Sequence, residues 1–189
     1  MKTKKLFYVA MVAMCAILTT SVMNSCNNTN NPDPQTEEPQ QEDRTPVAAY
    51  IDYYYSTNDS MLNVFDIKLE YYDSEGKLQV ENLTKTEWKL TAKSALPAKL
   101  GMRAKLAFKD GVEAETLPKM RLLYFCSFKT SAVDAKGNRV GEEKYNEFYN
   151  RNGFAGNKIS VWLDSYQENE PVKFLFEYDA NGKRSDINW

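Results

Sequence analysis

The side chains of this 189-residue chain that could do chemistry are its 26 carboxylates, its 12 tyrosines and its 3 cysteines, and no histidine stands among them. Imidazole is the commonest general base and the commonest zinc ligand. Its absence excludes a Ser/His/Asp triad, a Cys/His dyad, a His-bearing zinc site and a His-ligated haem. Two carboxylates working as acid and base, as in glycoside hydrolysis, are the one general acid/base arrangement still open. Yet the Asp and Glu residues of strand-like segments alternate outward as solvated faces do, and no pair separates itself from that background. Neither catalytic, cofactor-binding nor metal-binding residues are expected.

The cysteines occupy three different surroundings. Cys126 lies in the apolar run "LLYFCS", Leu122 to Ser127, with no basic residue beside it. That is the setting of a small buried hydrophobe and not of a reactive thiol. Cys15 lies inside the apolar run from Leu6 to Leu18, which follows Lys2, Lys4 and Lys5. A basic start, a short apolar stretch and the small, polar passage "TTSVMNS" before Cys26 follow the order of a secretory signal peptide. The run is too short to cross a membrane, which takes roughly 20 apolar residues. Residues 1–25 are thus expected to be a leader that is removed.

A leader that ends directly before a cysteine resembles the lipobox of bacterial lipoproteins. Ser25 fits the small residue wanted before the cysteine, whereas Met23 and Asn24 depart from the usual leucine and small residue. Looser boxes of this kind, with an Asn-rich run behind them, resemble those of the Bacteroidota. The resemblance implies that Cys26 is acylated and becomes the mature N-terminus. Each buried CH₂ contributes about 0.8 kcal/mol, and two or more chains attach a protein stably to a bilayer that it does not span. The same resemblance implies the outer membrane as location. Asn27 and Asn28 stand where surface-exposed relatives carry acidic residues, which favours the periplasmic face over the cell surface.

From Cys26 to Pro46 the chain reads "CNNTNNPDPQTEEPQQEDRTP", with no aliphatic or aromatic residue. Such a segment cannot offset the entropy of ordering and is expected to be a disordered tether. Some twenty residues of coil reach about 25 Å. The formal charge of the chain is −2, and loss of the leader lysines makes the remainder more acidic, without the basic patch that nucleic acid requires.

Residues 47–189 have the length of one domain. Their dominant period is two. "NVFDIKLEYYD", "TEWKLTA", "KLGMRAKLAFK", "KISVWLD" and "VKFLFEYD" each alternate apolar with polar residues, as half-buried antiparallel strands do. "LLYFCS" is apolar on both faces and predicts a covered central strand. "YDSEGK", "VDAKGN" and "YDANGK" each set Asp and Gly three apart between such segments, the signature of a type I turn closed by a left-handed glycine. Calcium is the alternative for these loops, but an EF-type loop needs oxygen ligands at alternating positions and a distant Glu. "DGVEAETLPKM" reads as a long acidic connection. Residues 141–157 hold Tyr145, Phe148 and Tyr149 at helical spacing before "NRNG", which predicts a short helix. Together these patterns predict an all-β fold, an immunoglobulin-like antiparallel sandwich of 7–9 strands, with a closed barrel as runner-up.

Three functions fit. The first is a non-catalytic interaction domain that binds another component of the cell envelope. The second is a glycan-binding accessory domain, for which "YIDYYY", Tyr50 to Tyr55, and the segment with Tyr145, Tyr149 and Phe154 would supply rings; Tyr145, Tyr149 and Phe154 are the candidate ligand surface. Aromatics are also the staple of sandwich cores, so much of this wealth is packing. The third is the two-carboxylate hydrolase. Finally, "DSM", Asp59 to Met61, resembles the tripeptide of Bacteroidota O-glycosylation and marks Ser60 as candidate acceptor. The expected partners are a membrane, through the lipid, and envelope proteins or glycans.

Overall fold

The computed structural model describes residues 44–189; Cys26, the leader and most of the tether lie outside the described residues. Alternating apolar and polar residues fold into β1 (Ala48–Thr57), β2 (Phe65–Tyr72), β3 (Leu78–Asn82), β4 (Glu87–Ala95) and β5 (Ala98–Phe108). A short ribbon strand, β6 (Met120–Arg121), precedes the long hairpin β7 (Tyr124–Val133) and β8 (Arg139–Asn150). Its partner β9 (Gly153–Phe154) follows, and the hairpin β10 (Lys173–Tyr178) and β11 (Arg184–Asp186) ends the domain. Among the described residues two α-helices interrupt the strands, α1 (Asp59–Val64) between β1 and β2 and α2 (Asn157–Asn169) between β9 and β10, and a single 3-10 turn, Ala114–Thr116, lies between β5 and β6.

Strands β4-β1-β7-β8 form one antiparallel sheet and β11-β10-β5-β2-β3 a second, with β6 and β9 paired apart from both. The two sheets pack face to face. Their inner faces meet in an aromatic core, where Phe128 of the first sheet lies 4.2 Å from Phe174 and 5.1 Å from Phe176 of the second, centroid to centroid. All three rings are buried.

The Asp-x-x-Gly echo is three hairpin turns. Asp73, Asp134 and Asp179 accept through their carboxylates from the backbone N–H groups of Lys77, Asn138 and Lys183 at 2.9, 2.8 and 2.9 Å. Gly76, Gly137 and Gly182 close the turns at φ of 71°, 85° and 75°, a backbone region only glycine enters freely. Each carboxylate is spent on its own turn.

Between the sheets one side chain stitches what the strands leave open. The β2–β5 ladder ends at Tyr71 and Met102, and beyond it the hydroxyl of Tyr53, on β1, accepts from Gly101 N–H at 2.9 Å and donates to Tyr72 C=O at 3.0 Å. Helix α2 fills a similar gap. Strand β10 pairs with β5 only as far as Arg103, and past that point Tyr166 Oη and Gln167 Nε2 donate to the carbonyls of Ala104 and Leu106. Two side chains stand in for a missing strand.

Two segments exchange the elements expected of them. "KISVWLD" is helical, within α2, because Ile159, Leu163 and Tyr166 form a buried stripe at helical spacing, while Val161 is 66% exposed. The period-two pattern there is a coincidence of a short window. Conversely, Tyr145, Phe148 and Tyr149 lie on β8, held antiparallel to β7 by the Asp134–Asn138 turn. An edge strand with one open face needs few apolar residues, so its period is faint. "LLYFCS" also departs from expectation: β7 is central in its sheet, but along this run only the inner positions, Leu122, Tyr124 and Cys126, are buried, and the outer positions Leu123, Phe125 and Ser127 are half-buried.

Candidate functional site

Sheet β4-β1-β7-β8 buries one face and leaves the other open. Register sets the open face in rows across the four strands. Glu87, Ser56, Phe125 and Tyr149 make one row; Lys89, Tyr54, Ser127 and Glu147 the next; Thr91, Asp52, Lys129 and Tyr145 a third. With strands about 4.8 Å apart and about 3.3 Å of rise per residue, Tyr145 and Tyr149 lie roughly 13 Å apart along β8. They are 56% and 61% exposed. Tyr54 and Phe125 meet edge to face at 5.8 Å between them and β4, each half-buried.

Polar groups hold these rings in place. Lys89 Nζ stands 5.4 Å above the Tyr54 ring and 2.7 Å from Glu87, and Arg151 lies 5.2 Å above the Tyr149 ring. The Lys89 hydrogen bond holds the Glu87 carboxyl below its ordinary range, and Glu87 in turn raises Lys89. Tyr145 donates to Glu147, and that bond raises the phenol. Tyr50 donates to Asp52, which also accepts from Thr91 Oγ1 at 2.5 Å. Rings alternate with carboxylates and amines across the face, and the carboxylates between the rings already accept a hydrogen bond or an ion pair.

The outer face of the second sheet carries paired charges about Glu70, with Leu78 and Val80 exposed on its β3 edge. Glu70 pairs with Arg103 at 2.6 Å and Lys105 at 2.8 Å; burial raises its pKa, but the two cations outweigh that and hold it below the carboxylate range. Trp189 folds back across it, 4.9 Å from the Arg103 guanidinium and 5.6 Å from Tyr72. The majority-exposed tyrosines lie on the other sheet.

The structure brings Tyr145 and Tyr149 together, on a strand instead of the expected helix. Phe154 does not join them: it lies on β9, partly buried and packed 5.9 Å from Trp162 of α2. Of Tyr50 to Tyr55, the run splits by parity, with Tyr53 and Tyr55 buried and Tyr50 and Tyr54 on the open face. Ser60 is partly exposed in the first turn of α1, which Asn58 caps by accepting from Met61 N–H. Cys126 is fully buried, and desolvation pushes its thiol up, away from the reactive thiolate. Cys26 lies outside the described residues.

Sequence patterns did not single out Phe125, Arg121 and Arg151. The latter two line a cavity of about 320 Å³ at the ends of β1, β7 and β8. The one signal for Phe125 was parity, since it is two residues from Ser127 and four from Lys129 in a strand whose other parity is apolar. Among the described residues no group of acidic or thiol side chains could hold a metal ion, and no helix is long and apolar enough to cross a membrane. No family model, no curated protein and no solved structure matches the chain.

Proposed function

We propose that this protein is a lipid-anchored component of a bacterial cell envelope whose folded domain is a non-catalytic binding module, and that its open sheet face, centred on Tyr145 and Tyr149, takes a glycan. The observation that carries this reading is the pair of majority-exposed tyrosines on one strand face, joined by Tyr54 and Phe125 in neighbouring rows. Sugar rings present an apolar face and a polar rim, and a surface of rings alternating with hydrogen-bonding groups is complementary to both. An envelope protein is the competing ligand for the same face. Rings held by neighbouring carboxylates and cations offer many polar partners and little contiguous apolar area, which favours the saccharide.

The leader, the lipobox-like cysteine and the outer-membrane location, periplasmic face favoured, belong to this proposal, as does Ser60 as a modified residue. So does the immunoglobulin-like class of the sandwich; the antiparallel pairing and the crossings of β3 to β4 and β5 to β7 between sheets support it. Against the hydrolase stands the employment of the carboxylates on the face: Glu87 with Lys89, Glu147 with Tyr145, Asp52 with Thr91.

The test is a binding screen of purified protein against polysaccharides and envelope proteins. Binding to a polysaccharide that falls roughly tenfold, about 1.4 kcal/mol, in Tyr145→Ala and again in Tyr149→Ala supports the reading. Saccharide binding untouched by both substitutions, or binding to envelope proteins alone, refutes it.

A further inference from the structure

Where the open face runs out, at the last residues of β1, the first of β7 and the last of β8, the chain forms an open pocket, the cavity of about 320 Å³. Ser56, Phe125 and Arg151 connect it to the face: Ser56 and Phe125 share a row with Tyr149, and Arg151 stacks on the Tyr149 ring. Thr57, Asn58, Asn150 and Arg121 complete its polar lining, which contains two cations and no carboxylate.

The walls are built firmly. Thr57 Oγ1 donates to Leu123 C=O at 2.8 Å, Asn58 Nδ2 donates to Arg121 C=O at 2.9 Å, and the buried Asn150 donates to Leu122 C=O. These bonds fix the backbone from Arg121 to Leu123, and Leu122 N–H donates to Asn152 C=O at 3.0 Å beside Arg151. The guanidinium groups themselves are uncommitted. Arg103, Arg139 and Arg184 each stand beside a carboxylate, at 2.6, 2.6 and 3.8 Å, whereas among the described residues neither Arg121 nor Arg151 has such a partner. Arg151 Cζ lies over the Tyr149 ring, and among the described residues none of its N–H donors has a hydrogen-bond acceptor.

We infer that this cavity binds the carboxylate or sulfate group of an anionic glycan lying on the aromatic face, with Arg121 and Arg151 as its charge partners. The inference rests on the glycan reading of that face and narrows it to acidic saccharides. Arginine's planar fork matches either anion with two parallel hydrogen bonds. A cavity of this volume is at the small end of ligand pockets, suited to one charged sugar and not to a stretch of chain. Carboxylate and sulfate share that chemistry, so the experiment must separate them.

The full chain, extracted in nonionic detergent, is titrated with polygalacturonate, chondroitin sulfate and neutral galactan at two salt concentrations. The expected result is at least tenfold tighter binding of one anionic polymer than of galactan, weakened by salt. Arg121→Ala and Arg151→Ala should each lose roughly tenfold toward that polymer and leave galactan unchanged, with Arg121→Lys intermediate. Both arginines are exposed, so these variants keep the fold, and Lys77→Ala with Lys183→Ala serves as a charge-matched control elsewhere on the surface. Whichever polymer responds identifies the anion. Binding of galactan alone, lost in Tyr145→Ala, overturns the inference and keeps the glycan reading. Anionic binding that the control lowers as much as the arginine variants overturns it too, and silence against all three polymers overturns both.

Discussion

Tyr53 and Tyr55 are two residues apart on the same buried face of β1, and removing the same atom from each should give opposite results. The hydroxyl of Tyr53 accepts from Gly101 N–H and donates to Tyr72 C=O where the second sheet opens. Gly101 is buried, so Tyr53→Phe leaves its N–H without a partner, while the Tyr72 carbonyl, in a half-buried residue, is within reach of water. An orphaned buried donor costs about 1–3 kcal/mol. Taking about 2 kcal/mol, and about 3 °C of Tm per kcal/mol for a domain of this length, Tyr53→Phe should melt about 6 °C below the parent. Tyr55 is fully buried and stacked on Tyr124, 6.5 Å away, and its hydroxyl has no hydrogen-bond partner among the described residues. Its desolvation is uncompensated, so Tyr55→Phe removes a cost and should melt at or slightly above the parent temperature. Paired thermal and urea unfolding of the two variants decides the matter. Equal losses in both, or a larger loss in Tyr55→Phe, would refute the assignment of Tyr53 as the stitch between β2 and β5.

Gly101→Ala places a Cβ 2.5 Å from Phe174 O and 2.8 Å from Leu175 Cα, backbone atoms that cannot move aside, and should cost on the order of 3 kcal/mol in urea unfolding. Alkali should unfold the domain: desolvation first of all raises the phenols of Tyr53, Tyr55 and Tyr166, so the stability they contribute is complete below their ordinary value of 10.0 and is lost as pH rises above it. Phenolate absorbance in an alkaline titration should therefore show a late step that coincides with loss of the near-ultraviolet dichroism. In acid the sign reverses. Glu70 and Glu170, held below 4.5 by their cations, and Asp73 and Asp134, held below 3.8 by turn hydrogen bonds, stabilise the fold above those values and release it as pH falls beneath them. With no histidine side chain to titrate, urea midpoints between pH 5.5 and 8 should coincide. Cys126 should resist a thiol reagent in the folded protein and react fully in denaturant; rapid labelling of the native state would contradict its burial. Finally, labelling of cells with a fatty-acid analogue should mark the protein and fail with Cys26→Ser, and an unmarked parent chain would remove the anchor from the proposed function.

What the sequence made legible was local chemistry. The Asp-x-x-Gly turns appear where the side chain and the glycine that form them are neighbours, so three hairpins and the strands beside them could be read directly. Strands with a dry and a wet face, such as β2 and β5, were equally plain. The exchange between α2 and β8 has a different origin. Ile159, Val161 and Leu163 satisfy period two over five residues, and only Tyr166, a full turn further on, reveals the helical stripe. On β8 the inner positions are Lys144, Asn146 and Phe148, two of the three polar because an edge strand opens to solvent, so the alternation that marks a strand is muted. Tyr145 and Tyr149 could be singled out in spite of this, since residues four apart share a face on either element. Phe154 was grouped with them by proximity in sequence, and the turn after Asn150 takes it away to Trp162.

The rest of the site is a product of register, which no local window contains. Tyr54 meets Phe125 because β1 and β7 pair over ten positions, and Arg121 reaches the same cavity as Arg151 because β6 and β9 bring the two ends of the β7–β8 hairpin together. The same register gives the molecule a direction. The chain comes in at Val47, whose N–H bonds to Val133 C=O, with Pro46 against Gly182 in the β10–β11 turn. Strand β1 then runs ten residues, about 33 Å, before Ser56 and Thr57 reach the cavity. Turn end, ring-bearing face and arginine-lined pocket thus follow one another along β1, an order set by the pairing of β1 with β7 and by nothing local to any of the three.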